Sequence, residues 1–385
     1  SKIMAAESSP AEDAATATPD IETPVTEKDA AADANPPPSF GARARACFSA
    51  TYARHSFLAH VLVVIALARC YPPLGAVYLA PQITAKWIAV VFIFVMAGLG
   101  LKTEEFTNAI KQLRFNLAVQ AFNFLGVSSI VFGISRLLAS AGVLARNLAD
   151  GMVICACLPM TINMVLVMTK SAGGDEAAAV FNAAFGNMLG VFVTPLLILM
   201  YLGQEGSVDI EKVFVKLSLR VIAPIVVGQL LKNFVPPVTR FVAKYKPRFK
   251  KTQEWTLVFI IYTVFCNTFL EKSETTGVDA IVMVAVQCCL LCLVMVVAWL
   301  FLKIFFPNSP KLRVMGLFGC SHKTVAMGIP LINAIYETDP DLAFYTLPLI
   351  VWHPMQAVIG SAISPKLNAF VEREEARLSP LKTTE

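Results

Sequence analysis

Charged side chains are scarce in this sequence, in which Asp, Glu, Lys and Arg together make up only 15% of 385 residues. A soluble domain carries closer to a quarter. The deficit is uneven, because the charges gather in short loops between repeated apolar stretches, as in a polytopic membrane protein. The net charge of +5 is small and gives no basic footprint for nucleic-acid binding. We therefore predict a chain embedded in a lipid bilayer.

Motifs of catalysis are also missing. The sequence has no Walker loop, no HExxH, no GxSxG and no EF-hand loop, which argues against an ATP-driven pump and the common hydrolases. The nine cysteines lack metal-finger spacing and are interpreted as small buried thiols. We expect no enzyme activity, no metal site and no cofactor apart from a sodium ion. A membrane-embedded enzyme with a reactive pair near His322 or His353 is a remote alternative.

Ten apolar stretches approach the length of about 20 residues that crosses a bilayer as a helix. Their predicted bounds are 56–70, 83–101, 115–136, 148–169, 177–202, 212–232, 254–270, 279–303, 312–336 and 342–366. The first stretch is short, so a count of nine is the main rival. Residues 1–55 begin with an acidic, Ala- and Pro-rich segment that cannot build a core, and we predict a disordered tail there. Residues 371–385 form a second predicted tail behind a transporter domain over 56–370.

Basic residues collect at alternate ends of these spans and indicate the orientation of the chain. They are densest in loop 232–251, whereas loops 203–211, 271–279 and 337–341 on the opposite side are acidic. Loop 137–147 is mildly basic and is the exception. Because Lys and Arg stay on the cytoplasmic side, we predict that both termini are cytoplasmic. The regular alternation supports an even number of spans.

Ten spans divide into two halves of five, and an odd number in each half places the halves in opposite orientations. The predicted repeats are 56–203 and 212–370, so that spans four and nine correspond. Both contain helix-breaking residues near their middles, namely Pro159, Gly319, Gly328 and Pro330. The expected fold is an all-helical membrane protein of two inverted five-helix repeats, in which helices four and nine are discontinuous.

Polar side chains at mid-depth are the candidates for a binding site. Those in spans three to five are Gln120, Asn123, Thr161, Asn163, Asn182 and Asn187. Their oxygens, and a carbonyl freed by Pro159, suit a hard cation such as sodium. The alternatives are a healed proline kink in span four and interhelical packing by the amides of spans three and five.

Span nine carries the strongest signal, Ser321-His322-Lys323-Thr324 at the centre of an apolar stretch. A lysine near the bilayer midplane costs about 2.5–3.5 kcal/mol on insertion scales, so a functional role is expected. The alternative is a snorkelling lysine, but Lys323 lies roughly 11–13 residues from either span end, which is too far for easy escape. An unwound helix would let both His322 and Lys323 face a cavity.

Five segments resemble the bile acid:sodium symporter superfamily, in its sodium/bile acid cotransporter 7 branch. They are KTEEFTNAI at 102–110, GGDEAAAVFNAAFGNMLGVFVTPLLIL at 173–199, VIAPIVVGQLLK at 221–232, IIYTVFCNTF at 260–269 and CSHKTVAMGIPLI at 320–332. The resemblance implies ten helices arranged as a panel and a core domain, with helices four and nine crossing near the midplane. It also implies ion-site residues in spans three, four, five and nine.

One departure from the resembling carriers concerns the start of the span-nine stretch. Those carriers place a glutamate there, within E-x-G-M-Q-N, where this chain has Ser321 through Ala326 instead. An anion that would bind sodium is replaced by a cation, and like charges repel in a medium of low dielectric constant. Our hypothesis is that the Lys323 ammonium takes over part of a sodium site or attracts an anionic substrate.

The predicted function is secondary active transport of a small organic anion by alternating access, as a sodium-coupled or sodium-site-modified symporter. The alternative is a non-transporting membrane regulator of cellular calcium homeostasis, a link that the resemblance suggests. The resemblance also suggests the plasma membrane or the membranes of the endoplasmic reticulum and Golgi. The expected partners are the anion, sodium and the lipid bilayer.

Overall fold

The computed structural model describes Phe57, residues 59–100, 112–203, Val215, 218–270, 276–337 and 339–382. Within these residues it contains helices and no strand. The predicted tail over 1–55 lies outside them, as do residues 101–111, 204–214 and 271–275.

The helices are numbered in chain order. They are α1 (Ala59–Cys70), α2 (Pro81–Gly100), α3 (Leu113–Ser140), α4 (Arg146–Ala156), α5 (Ile162–Ser171), α6 (Glu176–Leu202), α7 (Ser218–Phe234), α8 (Pro236–Lys244), α9 (Lys246–Leu270), α10 (Gly277–Phe305), α11 (Pro310–Ser321), α12 (Val325–Ile335) and α13 (Leu342–Lys382). Three of them contain a wider π turn, at Thr84–Ala89 in α2, at Phe122–Gly126 in α3 and at Ser218–Ile222 in α7. A separate π turn, Leu74–Tyr78, lies between α1 and α2.

Five helices in the described part of the chain are long and apolar enough to cross a membrane, namely α2, α3, α6, α10 and α13. A sixth span arises if α7 and α8 are taken together, although a bend of 101° separates them. These helices make the chain a multi-pass membrane protein. The count of ten spans in two inverted repeats stays a prediction, because each of the remaining helices is too short or too polar to cross a membrane alone. These helices are α1, α4, α5, α9, α11 and α12.

Two helices extend beyond their predicted bounds. α9 begins at Lys246 rather than at 254, and α13 continues to Lys382 through the predicted C-terminal tail. The extension of α13 is charged, and Glu375 forms an ion pair with Lys311 of α11, with 2.8 Å between the nitrogen and the carboxylate oxygen. Charged turns of this kind continue a helix into water, and hydropathy alone does not predict them.

Three of the short helices are buried inside the molecule. α4, α11 and α12 are buried along most of their length. The long helices around them expose large apolar side chains, among them Leu125, Phe192, Leu196, Val296 and Leu300. An apolar exterior of this extent faces lipid in a membrane protein.

The helices pack in two groups. α2 packs against α7 and α9 in the first group, while α3–α6 and α10–α13 pack with one another in the second. The groups meet where α12 and α13 of the second contact α2 and α9 of the first. This division is compatible with the expected panel and core domains.

Three of the four predicted helix breakers do not break a helix. Gly319 lies within α11, and Gly328 and Pro330 lie within α12. The glycines serve close packing instead: a Cβ at Gly319 would contact Val119, and one at Gly328 would collide with Leu158 and Leu349. The interruption falls at 322–324, within the polar stretch Ser321–Thr324 where the sequence pattern predicts unwinding.

Gly328→Ala is expected to lower the free energy of unfolding by about 1–3 kcal/mol, because overpacking forces Leu158 and Leu349 to move. The matched control is Gly133→Ala in α3, where a Cβ meets nothing within 4 Å. That substitution is expected to leave stability unchanged or raise it by about 0.5–1 kcal/mol, since alanine favours the helix. Thermal unfolding in detergent measures both. Equal melting temperatures for the two variants would contradict the packing role of Gly328.

Candidate functional site: the crossing of two interrupted helices

The first interruption lies between α4 and α5, over residues 157–161, and contains Pro159. Proline has no N–H to donate and disfavours a helical conformation in the residue before it, so the helix stops there. Pro159 therefore lies between the end of α4 and the start of α5. Thr194 of α6 donates its hydroxyl to the Cys157 carbonyl at 2.8 Å, so one of the carbonyls released at the break has a partner.

The second interruption, over 322–324, crosses the first. Met160 and Lys323 form an antiparallel backbone bridge. The Thr161 N–H donates to the His322 carbonyl at 3.3 Å, and the Thr324 N–H donates to the Pro159 carbonyl at 3.0 Å. Each interruption thus satisfies polar backbone groups of the other, which makes non-helical backbone tolerable away from water.

The side chain of Lys323 is enclosed at this crossing and has no solvent exposure. Its Nζ donates to the backbone oxygen and Oδ1 of Asn123, at 3.0 and 2.8 Å, and to the carbonyls of Ala156 and Leu158, at 2.7 and 2.9 Å. Asn123 lies in the π turn of α3, a type of turn frequent at functional sites. The ammonium therefore sits in a cage of four oxygen atoms.

The cage combines two favourable effects for a cation. Ala156 is the last residue of α4, and the C-terminal end of a helix carries partial negative charge. The four oxygens also replace the water that the ammonium loses on burial. The snorkelling alternative is excluded, because Lys323 turns inward.

The His322 ring has partners of its own, separate from the oxygen cage around Lys323. The His322 Nδ1 contacts the hydroxyl of Ser321 at 2.9 Å, and its ring packs edge-on against Phe318 at 5.2 Å. Ser321 in turn donates to the Leu317 carbonyl at 2.7 Å. The extended backbone of 322–324 directs consecutive side chains to opposite sides, as in a strand.

Two of the predicted amides in spans three and five form a network next to the crossing. Gln120 donates through Nε2 to the Asn182 carbonyl at 2.8 Å, and Asn182 donates through Nδ2 to Asn116 Oδ1 at 2.7 Å. The side-chain acceptor of Gln120, Oε1, is buried and has no hydrogen-bond partner within the described residues. Asn187 reaches the crossing itself, where its Nδ2 donates to the Met160 carbonyl at 2.8 Å.

The remaining predicted residues mark the starts of α5 and α12. Thr161 and Thr324 are the N-cap residues, and neither side chain caps its helix. Asn163, in the first turn of α5, is exposed, as are Ile162 and Ala326. The positive ends of two half-helices therefore lie beside exposed positions.

One important residue escaped the sequence analysis. Gln356 of α13 is fully buried, accepts from the Lys323 N–H at 2.7 Å and donates to the Lys323 carbonyl at 3.0 Å. It holds the backbone of the interruption through both backbone polar groups of Lys323. In the sequence, the role of Gln356 is indicated by its position as an isolated amide in the middle of an apolar span.

A model of the SBF-like CPA transporter family matches residues 55–369. The chain belongs to this family. It is 32% identical to the sodium/bile acid cotransporter 7 of Rattus norvegicus over 325 residues, which cover 82% of this chain and 93% of the rat protein. The corresponding Xenopus tropicalis protein is 31% identical over 323 residues, covering 82% and 92% of the two chains. The Danio rerio protein is 30% identical over 334 residues, covering 84% and 97%.

Membership of this family makes the chain a membrane transporter and gives the crossing a functional context. The names of these relatives give no support to the alternative of a calcium regulator. The caged lysine is accordingly the feature that a proposal for this chain must explain.

Proposed function

We propose that this chain is a secondary transporter that moves a small organic anion by alternating access, with Lys323 as a fixed cation at the helix crossing. The family supports transport, and the names of the relatives refer to sodium and bile acid. The observation that carries the proposal is the enclosure of the Lys323 ammonium by four oxygen atoms. A tethered ammonium supplies there the positive charge that a bound sodium ion would otherwise supply.

The anion would bind beside the starts of α5 and α12. The first N–H groups of a helix have no partner within the helix, and the helix dipole favours negative charge at that end. Neither N-cap threonine occupies these groups with its side chain. Broken helices in transporters direct such ends toward anionic substrate groups. The exposed Asn163 adds an amide that can donate to a carboxylate.

Lys323 also bears on the coupling ion. Because its oxygen cage is already filled, the proposed transporter needs no sodium at that point. Any coupled sodium ion would bind at the neighbouring network, where Gln120 Oε1 is buried and unpartnered within the described residues. We further propose that both termini are cytoplasmic and that the membrane is the plasma membrane or that of the endoplasmic reticulum or Golgi.

Counterflow in proteoliposomes tests this function. Purified protein preloaded with one unlabelled carboxylate is expected to accumulate the same radiolabelled carboxylate, and to do so with choline in place of sodium. Asn163→Leu is expected to slow this counterflow at least tenfold, because it removes an exposed donor from the anion site. Asn233→Leu, also exposed but at the far end of α7, is the matched control.

Two outcomes would contradict the proposal. Absence of counterflow for every bile acid and small carboxylate tried would favour a non-transporting role. Strict dependence of the wild-type protein on sodium, retained in Gln120→Leu, would show that sodium binds at the crossing despite Lys323.

A further inference from the structure

The connection between α7 and α9 contains the short helix α8, which lies at the surface of the protein. α8 leaves α7 at 101° and has no buried residue. Val235-Pro236-Pro237 causes the bend, because α7 cannot continue through two prolines. With α7 crossing the membrane, as predicted for the span over 212–232, a helix at nearly a right angle to it would lie parallel to the membrane surface.

α8 is amphipathic. At about 100° per residue, Val238, Phe241 and Val242 share one face, whereas Arg240 and Lys244 lie on the other. Phe241 is 56% exposed even though its ring contacts Tyr245 at 4.9 Å. A helix with an apolar face and a basic face is typical of the boundary between headgroups and acyl chains.

The charge around α8 is of one sign. Residues 232–251 contain no acidic residue and seven basic ones, which are Lys232, Arg240, Lys244, Lys246, Arg248, Lys250 and Lys251. Four of these lie in the first two turns of α9, where the helix dipole also disfavours cations. Mutual repulsion at this surface decreases when an anionic layer lies against it.

We propose that α8 and the start of α9 form a membrane-surface element that binds anionic phospholipid headgroups, with Phe241 inserted among the acyl chains. The charge complementarity favours a phosphate-rich surface, and the apolar face favours a lipid over a soluble anion. The positive-inside rule places the element at the cytoplasmic leaflet, which is the anionic one. The inference depends on the membrane location of the chain and is independent of the substrate.

Native mass spectrometry of the purified full-length protein tests the element. The protein is titrated with phosphatidylglycerol or phosphatidylcholine, and the bound lipids are counted. The wild type is expected to prefer phosphatidylglycerol. Replacing Arg240, Lys244, Arg248, Lys250 and Lys251 with glutamine is expected to weaken that binding by about fivefold per residue. Phe241→Ser is expected to weaken the binding of both lipids.

The control replaces five exposed basic residues elsewhere, which are Lys170, Lys303, Lys366, Arg373 and Arg377. This variant is expected to bind phosphatidylglycerol as the wild type does. Equal loss of phosphatidylglycerol binding in the two five-residue variants would overturn the proposal by showing nonspecific attraction.

Two further outcomes would assign the surface to another occupant. Displacement of the lipid by millimolar glycerophosphate would assign the site to a soluble anion. Loss of a dimer in place of lipid would assign the face to a second copy of the chain. Thermal unfolding establishes that both variants are folded.

Discussion

Replacing Lys323 with alanine is expected to make the stability of the protein depend on a monovalent cation. The substitution removes the partner of four oxygens at once, those of Asn123, Ala156 and Leu158. A buried acceptor that loses its hydrogen-bond partner costs about 1–3 kcal/mol. The substitution also leaves a space lined with oxygen atoms, which a sodium or potassium ion can enter. Added at a hundred times its dissociation constant, such an ion would restore about 2.7 kcal/mol.

The measurement is thermal unfolding of detergent-solubilised protein in choline, sodium and potassium chloride at one ionic strength. Lys323→Ala is expected to melt lower in choline than in the best of the other two salts, by a larger margin than the wild type does. Lys323→Met is the matched control, because its unbranched side chain keeps the cage filled and admits no ion. A cation response in Lys323→Met as large as that in Lys323→Ala would count against the cage.

Loss of the ion pair between Arg220 and Glu337 is expected to open one side of the protein. Arg220 belongs to α7 of the first helix group, and Glu337 follows α12 of the second. The guanidinium donates to both carboxylate oxygens, at 2.9 and 3.2 Å, and lies 4.1 Å from the centre of the Trp87 ring. Lys86 donates to the Glu337 backbone carbonyl at 2.5 Å. Residues of α2 and α7 thus hold the end of α12 in place.

In the proposed transport by alternating access, the two helix groups move relative to each other, so this contact would break in part of the cycle. Arg220 is only 3% exposed, and Glu337→Gln leaves the charge of Arg220 beside a neutral partner in a medium of low dielectric constant. We expect Glu337→Gln to lower the stability of the conformation described above by about 3–5 kcal/mol. Arg220→Gln combined with Glu337→Gln is expected to cost less than the sum of the single changes.

Two measurements check this contact. A double-mutant cycle on thermal unfolding gives the coupling energy between the two side chains. Labelling of Ala326→Cys by a membrane-impermeant maleimide, quantified at that position by mass spectrometry, reports access to the crossing from the side of loop 337–341. Glu337→Gln is expected to speed labelling at least tenfold. Unchanged labelling and a coupling energy below about 0.5 kcal/mol would show that the pair is not a gate.

Several features of the fold followed from the sequence pattern. Pro159 ends α4, since the loss of an N–H acts locally and needs no knowledge of the neighbours. Lys323 was identified as central, because burying an ammonium at mid-depth is costly wherever it occurs. Gln120, Asn187 and Thr324 are near the crossing for a related reason, since polar side chains in apolar helices need partners.

Other features depended on contacts between distant segments. Gly319 and Gly328 are predicted helix breakers, because glycine is a poor helix former. A glycine also permits two segments to pack closely. Only the positions of Val119, Leu158 and Leu349 decide between these roles. Gln356 was missed because its partner is the backbone of Lys323, a residue 33 positions away. The direction in which His322 points likewise depends on Ser321 and Phe318.

The amino-acid sequence by itself determined that this chain is a membrane protein and that a positive charge is buried in one of its spans. It also determined at which residues two of the spans are interrupted. These are consequences of composition and local backbone chemistry. Only the tertiary structure decided which backbone groups meet at the crossing and that oxygens of Asn123, Ala156 and Leu158 surround the ammonium. The reason is that the oxygen atoms closing the cage come from residues 165 to 200 positions away along the chain, and packing alone brings them together.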